Sequence, residues 1–504
     1  MNDEYFGGAI ARHAVDRPTA PALIGPERTL DFAGLHRAIE GMAGALHAAG
    51  ITRGTVTAIA LRNRPRDLVT LLALLRLGAP MLTFDPREPA DGRRRVAARA
   101  GVRMVVGEPA DAFDLALPLL TPTNAWQEHP RIALPPPPPE TISYMTRSSG
   151  TTGGISKLVP TEHAAELARH RATFTRFPYG PQDRFLVMMQ FSFAISRDFA
   201  IRSLSRGGAV IVPPPLRSLP ILVRAAEQHR ATWMVVTPVH LRDLMRHRAD
   251  APLFPDVKVL CTSAALNPSE RREAMRRVTP QLYINYGTTE VGTLAMASPA
   301  DLAEAPGIVG RVEQDIEAEA VGDDDRPLPA GAVGALRFRH PRFARAYLDA
   351  DPAASSRFTD GWFYPGDLGL IDAAGRIHLK GRVDDVINVS GRKVLPADIE
   401  ACLHAHPSVR DAVAIGLPSR RLGDVPVALA VAAPGTTEEA LLAHCRAALG
   451  DHHSPRRIAL VDAIPRTEAG KADRRALASL ARSTLAAADD TERQSSVPSD
   501  RALP

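Results

Sequence analysis

The chain has 504 residues, of which 45% are hydrophobic and 23% charged, and its formal net charge is +5. A chain of this length is too long to fold around one hydrophobic core. Its composition is that of globular proteins, so we expect two or more folded domains. The mild charge, without a dense basic run, argues against a nucleic-acid partner and suits a small anionic ligand equally well.

Three cysteines, Cys261, Cys402 and Cys445, are odd in number and far apart. This spacing argues against a disulfide framework and against a zinc site. No signal-like segment opens the chain, and no apolar run is long enough to span a membrane. We therefore expect a cytoplasmic protein without a membrane span.

The N-terminal part of the chain alternates helical and strand-like patterns. These predict a helix over Asp31–Ala49, a strand over Thr55–Ala60, a helix over Leu68–Leu77 and a strand over Pro80–Phe84. This βαβ order is typical of a parallel sheet covered by helices. Pro135–Pro139 predicts a stiff, exposed connector rather than a partner-binding motif.

The alternation resumes further along the chain and predicts a second doubly wound sheet. From Gly307 to Ile377, short strands with Gly, Asp and Pro turns predict a small β-rich subdomain. The predicted elements of the second sheet are, in chain order, strand Phe185–Met189, helix Ser196–Leu204, strand Ala209–Val212, helix Leu222–Gln228, strand Trp233–Val236, helix His240–His247 and strand Val257–Cys261.

The predicted fold class is therefore α/β, with a large domain of two doubly wound sheets plus the β-rich subdomain. We assign residues 1–383 to this large N-terminal domain and residues 384–487 to a smaller, mobile C-terminal α/β domain. Residues 488–504 are polar and lack aromatics, which predicts a disordered tail.

Lysine is scarce in this chain, since only five of its 61 basic residues are lysines. Four of the five lie in three short motif-like segments, residues 148–163, 380–400 and 465–477. Arginine supplies the ordinary positive charge here, so a lysine indicates a site that needs a compact point charge. The fifth, Lys258, fits no motif and is predicted to be a surface charge.

A segment rich in glycine and hydroxyl side chains follows the strand predicted over Thr141–Met145 and ends at Lys157. Glycines let backbone N–H groups face an anion, hydroxyls donate further hydrogen bonds, and lysine adds charge. The segment therefore predicts a polyphosphate cradle, with a flexible linker as the alternative. It is not a Walker A loop, because Lys157 lies four residues beyond Gly153.

This segment resembles the phosphate-binding motif of the acyl-adenylate-forming enzymes. That superfamily includes acyl-CoA synthetases, stand-alone aryl-acid ligases, adenylation domains of nonribosomal peptide synthetases, and luciferases. Four later segments resemble the family's other motifs in order and spacing: Tyr286–Glu290, Tyr364–Gly369, Lys380–Lys393 and Pro465–Lys471. The resemblance covers roughly residues 10–480. One departure is the sequence Gly154-Ile155-Ser156 before Lys157, where the family usually has proline directly before the lysine.

The resemblance implies a two-step, ATP- and Mg²⁺-dependent ligase whose site residues follow from the motifs. Lys471, Glu290 and Thr289 would be catalytic: Lys471 bridges the acid and the α-phosphate, Thr289 binds the α-phosphate, and Glu290 holds the metal. Tyr286 would stack on adenine, and Asp367 and Arg382 would bind ribose. The nucleotide-binding residues implied are Ser148, Ser149, Gly150, Thr151, Thr152, Gly153, Lys157, Ser263, Ala264, Ala265, Tyr286, Gly287, Thr288, Asp367, Arg382 and Lys393.

The family plan also places the acid pocket and the thiol channel. Ala194 stands where amino-acid-activating relatives have an aspartate, and an unpaired ammonium in an apolar pocket costs several kcal/mol. An aromatic or aliphatic acid is therefore expected, and an α-amino acid is disfavoured. Asp384 would be the hinge of the small domain, and Gly391 would line the thiol channel. The implied pocket residues are Phe191, Phe193, Ala194, Thr262, Gly287 and Val291.

We expect no carrier domain with its own phosphopantetheine site in this chain. The acceptor is expected to be free CoA, with the phosphopantetheine of a separate carrier protein as the alternative. An adenylate with a non-thiol fate, and a nucleotide-binding regulator without catalysis, are the other hypotheses. We expect a small-molecule acid as the partner, no nucleic acid, and a monomer or homodimer.

Overall fold

The computed structural model describes most of the chain. The described residues are 6–112, 116–131, 134–152, 155–172, 177–214, 218–246, 251–264, 266–305, 307–341, 343–348, 356–389, 392–419, 423–466, 472–473 and 475–484. Within this part of the chain, no helix has both the length and the hydrophobicity needed to cross a membrane. The three cysteines are buried and free of disulfides.

The N-terminal part folds as helices alternating with short strands, as predicted. Asp31 caps the second helix by accepting from the Gly34 N–H at 2.7 Å. Gly78 ends the third helix with a φ of +69°, a conformation that favours glycine. The elements are α1 (Phe6–Asp16), β1 (Pro21–Ile24), β2 (Thr29–Asp31), α2 (Phe32–Ala48), β3 (Thr57–Ala60), α3 (Pro65–Leu77), β4 (Met81–Phe84), α4 (Ala90–Arg99), β5 (Met104–Val106), β6 (Leu119–Leu120), β7 (Ile142–Thr152), β8 (Ile155–Glu162) and α5 (His163–Ala172).

The first sheet has the strand order β6-β5-β3-β4-β7-β8. Its strands are parallel except for the antiparallel β7–β8 hairpin. The proline-rich connector before β7 packs partly against this sheet: Pro137 is buried, and a Cβ added to Gly78 would lie 2.9 Å from Pro137. The prediction of a wholly exposed connector is wrong at Pro137. Gly78 has no side chain, and this leaves space in which the proline ring packs.

The second sheet has 15 strands and joins the predicted doubly wound unit to the predicted β-rich subdomain. Its elements after α5 are β9 (Arg184–Leu186), α6 (Ala194–Ser205), β10 (Ala209–Ile211), α7 (Leu219–Gln228), β11 (Trp233–Val236), α8 (Pro238–Arg246), β12 (Lys258–Cys261), α9 (Pro268–Arg277), β13 (Leu282–Thr288), β14 (Gly292–Ala297), α10 (Pro299–Glu304), β15 (Gly310–Val312), β16 (Glu317–Val321), β17 (Gly334–Arg339), β18 (Phe358–Thr359), β19 (Trp362–Phe363), β20 (Asp367–Ile371) and β21 (Arg376–Arg382).

Each strand of the second sheet is hydrogen-bonded to its neighbours, so the sheet is continuous from one edge to the other. Its order is β18-β19-β17-β20-β21-β15-β14-β13-β12-β11-β9-β10-β1-β2, with β16 beside β17. Strand β14 pairs with both β13 and β15, which links the parallel half to the antiparallel half. Strand β1 pairs with β10, so the N-terminal hairpin extends the second sheet rather than the first.

The C-terminal part forms a separate five-stranded sheet with two helices against it. Its strand order is β23-β22-β25-β24, and β26 pairs with β25. Buried side chains of both helices, including Leu403 and Leu441, pack with the sheet in one core. The elements are β22 (Ile387–Val389), β23 (Arg392–Val394), α11 (Pro396–Ala405), β24 (Val409–Ser419), β25 (Gly423–Ala432), α12 (Glu438–Leu449) and β26 (Arg457–Leu460).

Candidate active site

The hairpin of β13 and β14 carries the Tyr286–Glu290 motif. Strand β13 runs parallel to β12, so its carboxyl end lies at the edge where α/β sheets bind ligands. The hairpin is tightest at Gly287, where an added Cβ would lie 2.1 Å from the carbonyl oxygen of Gly292. Because that neighbour is backbone, only glycine fits. The motif glycine is thus required for the turn that presents Thr288, Thr289 and Glu290.

Three of the predicted nucleotide-binding residues meet at one carboxylate. The Tyr286 hydroxyl donates to Oδ2 of Asp367 at 2.6 Å, and Arg382 donates to Oδ1 at 2.9 Å. Adjacent strands bring the acid and the arginine together, since Asp367 on β20 pairs directly with Arg382 on β21. Burial, and then the Asp367 carboxylate, raise the pKa of Tyr286 well above its ordinary value. The tyrosine therefore stays a hydrogen-bond donor.

Glycine at position 366 makes room for the arginines around this carboxylate. Gly366 has a φ of +79°, in the left-handed region. An added Cβ would lie 2.9 Å from Nη2 of Arg382 and 3.3 Å from the Arg357 guanidinium. Both the backbone angle and the space favour glycine, so the Pro365-Gly366-Asp367 turn has a local structural reason.

Glu290 lies in the turn after β13 and is buried, with 8% of its surface exposed. The hydroxyl of Tyr347 donates to its Oε1 at 2.8 Å. The ammonium of Lys157, at the end of the glycine-rich segment, lies 5.0 Å from the centre of the Tyr347 ring. The structure thus groups the predicted metal ligand with the predicted phosphate-binding lysine, around a tyrosine that no motif singled out.

Two buried hydroxyls on the β13–β14 hairpin add polar atoms to this region. Oγ1 of Thr288 and Oγ1 of Thr293 have no hydrogen-bond partner among the described residues. Within the described part of the chain, no group of three or more His, Cys, Asp or Glu side chains is arranged so that it could hold a metal ion. One carboxylate fits Mg²⁺ that arrives with ATP, because this ion usually binds one or two carboxylates together with substrate phosphates.

The glycine-rich segment is more regular than predicted. The strand predicted over Thr141–Met145 continues as β7 to Thr152, and β8 begins at Ile155. The register shifts between Arg147 and Thr151, which leaves a bulge in the hairpin. The structure describes the backbone but not the side chains of Ser148, Ser149, Gly150, Thr151 and Thr152, and Gly153 lies outside the described residues.

The predicted acid-pocket residues fall into two groups. Phe191 and Val291 are 0% and 1% exposed, and each packs in a hydrophobic core. Phe193 is 36% exposed and precedes Ala194, the first residue of α6. Phe193 therefore keeps exposed apolar surface, whereas the buried Phe191 and Val291 are core residues in this structure.

The turn after β12 carries the small residues expected beside the adenine. Thr262 is buried, and its Oγ1 accepts from Nδ2 of Asn285 on β13 at 3.1 Å. Ser263 has a φ of +78°, which is uncommon for a residue other than glycine and indicates local strain. Ala264 follows in the turn, and Ala265 lies outside the described residues.

A fully buried arginine links the acid-pocket segment to the glycine-rich hairpin. Arg197 is 1% exposed. Its Nη1 donates to the carbonyl oxygen of Ser192 at 3.2 Å, and its Nη2 to Oγ1 of Thr146 at 3.3 Å. The guanidinium also stacks over the Tyr144 ring at 4.8 Å. Through these contacts Arg197 fixes the acid-pocket segment at Ser192 relative to the glycine-rich hairpin at Thr146.

Sequence reasoning missed Tyr347 and Arg197. The chain has seven tyrosines, so the scarcity that drew attention to lysine could also have drawn it to Tyr347. Arg197 carries no comparable signal, because arginine is abundant throughout the chain. Its burial is a property of the fold alone.

The hinge and channel residues are described only in part. Asp384 lies in the turn Val383–Asp385 directly after β21. Lys393 forms an exposed ion pair with Asp323 at 2.8 Å. Gly391 and Lys471 lie outside the described residues. The predicted hinge thus falls in a turn between the two parts of the chain, and the thiol-channel and catalytic-lysine assignments stay predictions.

Lys258 was predicted to be a surface charge, but it forms a largely buried ion pair. Its Nζ lies 3.0 Å from Oδ1 of Asp183, and their side chains are only 14% and 18% exposed. Its ammonium also lies 5.9 Å from the centre of the Phe177 ring. The prediction is wrong because the aspartate lies 75 residues earlier in the chain and meets the lysine only in the fold.

Comparison with protein families gives two matches along the chain. The profile of the AMP-binding enzymes matches residues 10–348, and that of the AMP-binding enzyme C-terminal domain matches residues 398–471. The first match alone covers more than half of the chain. The two matched ranges fall in the N-terminal and C-terminal parts of the structure.

Two similar proteins extend over nearly the whole chain. An indoleacetate–CoA ligase of Aromatoleum aromaticum is 29% identical, and the match covers 92% of this chain and 95% of that protein. A 4-chlorobenzoate–CoA ligase of an Arthrobacter species is 30% identical, with 93% and 94% covered. Both are named as ligases that join an aromatic acid to CoA.

Solved structures share the fold. The amide bond synthetase McbA from Marinactinospora thermotolerans is 28% identical with a TM-score of 0.83, over 94% of this chain and 99% of that one. The o-succinylbenzoate coenzyme A synthetase of Bacillus subtilis, in complex with ATP and magnesium ion, has a TM-score of 0.80 at 21% identity over 93% and 98%. The chain therefore belongs to the AMP-binding enzyme family and, within it, to the acyl-CoA synthetase branch of AMP-forming acid–thiol ligases.

Proposed function

We propose that this enzyme converts an aromatic or aliphatic carboxylic acid, not an α-amino acid, into its CoA thioester. In the first half-reaction a carboxylate oxygen attacks the α-phosphorus of ATP, and pyrophosphate leaves. In the second, the thiol attacks the acyl carbonyl and AMP leaves. The route exchanges hydroxide, a poor leaving group, for AMP, a good one.

The observation that supports the proposal best is that the Asp367 carboxylate accepts hydrogen bonds from two side chains. Tyr286 and Arg382 hold one oxygen each, at 2.6 and 2.9 Å. Each carboxylate oxygen has a second lone pair, so Asp367 can still accept from ribose hydroxyls. An acid whose two oxygens are already oriented is suited to bind a cis-diol. This supports the nucleotide assignment that the motif resemblance implies.

Glu290, Lys157 and Lys471 would place positive charge, directly or through Mg²⁺, beside the phosphate groups of ATP. Glu290 would hold Mg²⁺, which neutralises the phosphate oxygens when bound with ATP. Lys157 lies beside this region, and Lys471 is assigned by motif to the attacking carboxylate and the α-phosphate. Cations directed at the reacting phosphate stabilise the transition state more than the ground state.

Aromatic acids are the first candidates for the substrate. Relatives that match over most of the chain are named as ligases of indoleacetate, 4-chlorobenzoate and 3-hydroxybenzoate. Phe193 presents apolar surface at the start of α6. Ala194, the first residue of that helix, offers no charge to an α-amino group.

Amide formation is the second candidate, because the amide bond synthetase from M. thermotolerans matches 94% of this chain at a TM-score of 0.83. In that case an amine rather than a thiol would attack the acyl-adenylate. A separate carrier protein is a third acceptor, and it requires no change in the first half-reaction.

The test is pyrophosphate release from Mg·ATP with a panel of aromatic, fatty and amino acids, each without acceptor, with CoA and with simple amines. We expect release that depends on an aromatic acid and a CoA thioester as the product. An amide product with amines, and no thioester with CoA, would establish the second candidate. Release driven best by an α-amino acid would contradict the proposed substrate class.

A further inference from the structure

We propose that Tyr347 is a positioning residue that fixes the Glu290 carboxylate for Mg²⁺·ATP and ties it to the glycine-rich hairpin. This inference rests on the proposed function, because Glu290 is a metal ligand only if the chain binds Mg²⁺·ATP. No sequence motif considered above includes Tyr347. Its assignment comes from contacts between distant segments, since Tyr347 and Glu290 are 57 residues apart.

The side chain of Tyr347 is held on several sides. It is 5% exposed, packs with Val159 of β8, and meets the Phe358 ring edge-to-face at 5.3 Å. The next residue, Leu348, donates its backbone N–H to the carbonyl of Leu158 at 2.8 Å. Both strand contacts lie just after Lys157. The ring is therefore anchored to the strand that leaves the glycine-rich segment.

The hydroxyl then reaches the opposite hairpin. It donates to Oε1 of Glu290 at 2.8 Å, while the Lys157 ammonium lies 5.0 Å from the ring centre. One side chain thus contacts the predicted phosphate-binding lysine through its face and the predicted metal ligand through its edge. A shift of the glycine-rich hairpin would therefore reach the Glu290 carboxylate through Tyr347.

A tyrosine suits this position chemically. The Tyr347 hydroxyl is an uncharged group, and it donates to Oε1 of Glu290 at 2.8 Å. A neutral donor orients one carboxylate oxygen without cancelling the negative charge, unlike an arginine or a lysine. The carboxylate as a whole then keeps its negative charge, which a cation requires. This is the arrangement expected for a carboxylate that binds metal together with phosphate.

The test compares the variant Tyr347→Phe with wild type by calorimetric titration of ATP in the presence of Mg²⁺, and of AMP without metal. The ring and its packing remain, and only the hydroxyl is lost. Tyr283→Phe is the control, since it also removes one tyrosine hydroxyl, and that hydroxyl makes no hydrogen bond within the described residues. Melting temperatures of all three proteins report folding.

We expect Tyr347→Phe to raise the dissociation constant of Mg²⁺·ATP about tenfold, because a hydrogen bond to a charged group is lost, and to leave AMP affinity unchanged. The control should change neither. Equal losses for Mg²⁺·ATP and AMP, or no loss, would overturn the inference, as would a wild type that does not bind Mg²⁺·ATP. If the binding result holds while no acid triggers pyrophosphate release, the positioning role stands and the proposed reaction fails.

Discussion

Replacing Tyr286 with phenylalanine removes only the hydroxyl that donates to Asp367 at 2.6 Å. Both residues are 8% exposed, so water cannot easily replace the lost donor. A hydrogen bond to a charged acceptor contributes about 1.5–3 kcal/mol, and we take about 2 kcal/mol as the loss in unfolding free energy. For a cooperative unit of roughly 380 residues, that loss lowers the melting temperature by about 2–3 °C.

The same variant should raise KM for ATP about five- to tenfold, because Asp367 loses one of the two donors that orient it. The aromatic face stays, so stacking on adenine is preserved. Calorimetric melting and pyrophosphate-release kinetics measure the two effects. Tyr283→Phe is the matched control, since Tyr283 lies on the same strand and makes no hydrogen bond through its hydroxyl within the described residues. If Tyr286→Phe and Tyr283→Phe behave alike in both assays, the assigned role of the Tyr286–Asp367 contact is refuted.

Three further predictions follow from individual residues. Burial lowers the pKa of His163 from 6.5 to about 4. Between these values the unfolded chain binds a proton that the folded chain does not, so stability should fall by up to about 3 kcal/mol as pH drops from about 6.5 to 4. His163→Gln should flatten this dependence in denaturant titrations, and an unchanged slope would contradict the assignment. Gly287→Ala should destabilise the fold by about 1–3 kcal/mol and abolish adenylation, because its Cβ meets backbone at 2.1 Å. Gly92→Ala, in a helix and with no atom within 4 Å of the new Cβ, should be neutral or slightly stabilising. Lys471→Ala should reduce the rate of adenylation far more than ATP affinity, since its charge is needed chiefly in the transition state; equal losses in single-turnover and binding assays would argue against that role.

Much of the local structure could be predicted from the sequence. The helix predicted over Asp31–Ala49 is observed as Phe32–Ala48, and the strand predicted over Trp233–Val236 is observed with those bounds. Such elements have strong periodicity and clear end signals, an aspartate cap in the first case. The motif residues were identifiable from their resemblance to the family's motifs, and the structure adds a short-range reason for the glycines at positions 287 and 366.

The arrangement of strands into sheets could not be predicted in the same way. The sequence pattern predicted a β-rich subdomain distinct from the doubly wound sheet. In the structure the two form one sheet, joined where β14 pairs with β15. The N-terminal hairpin likewise adds to the second sheet through β10, far along the chain. Strand pairing depends on which edges remain free once the helices have packed, and local sequence does not record this.

The sequence by itself determined the family, the class of chemistry and the identity of most residues proposed for the nucleotide site. It did so because phosphate and ribose recognition need particular residue types at short, regular spacings. Only the tertiary structure decided how those residues act on one another. Tyr286 meets Asp367 across 81 residues, and Tyr347 meets Glu290 across 57. Contacts between such distant segments form when sheets and turns close around the site, so the orientation of each carboxylate is a property of the fold.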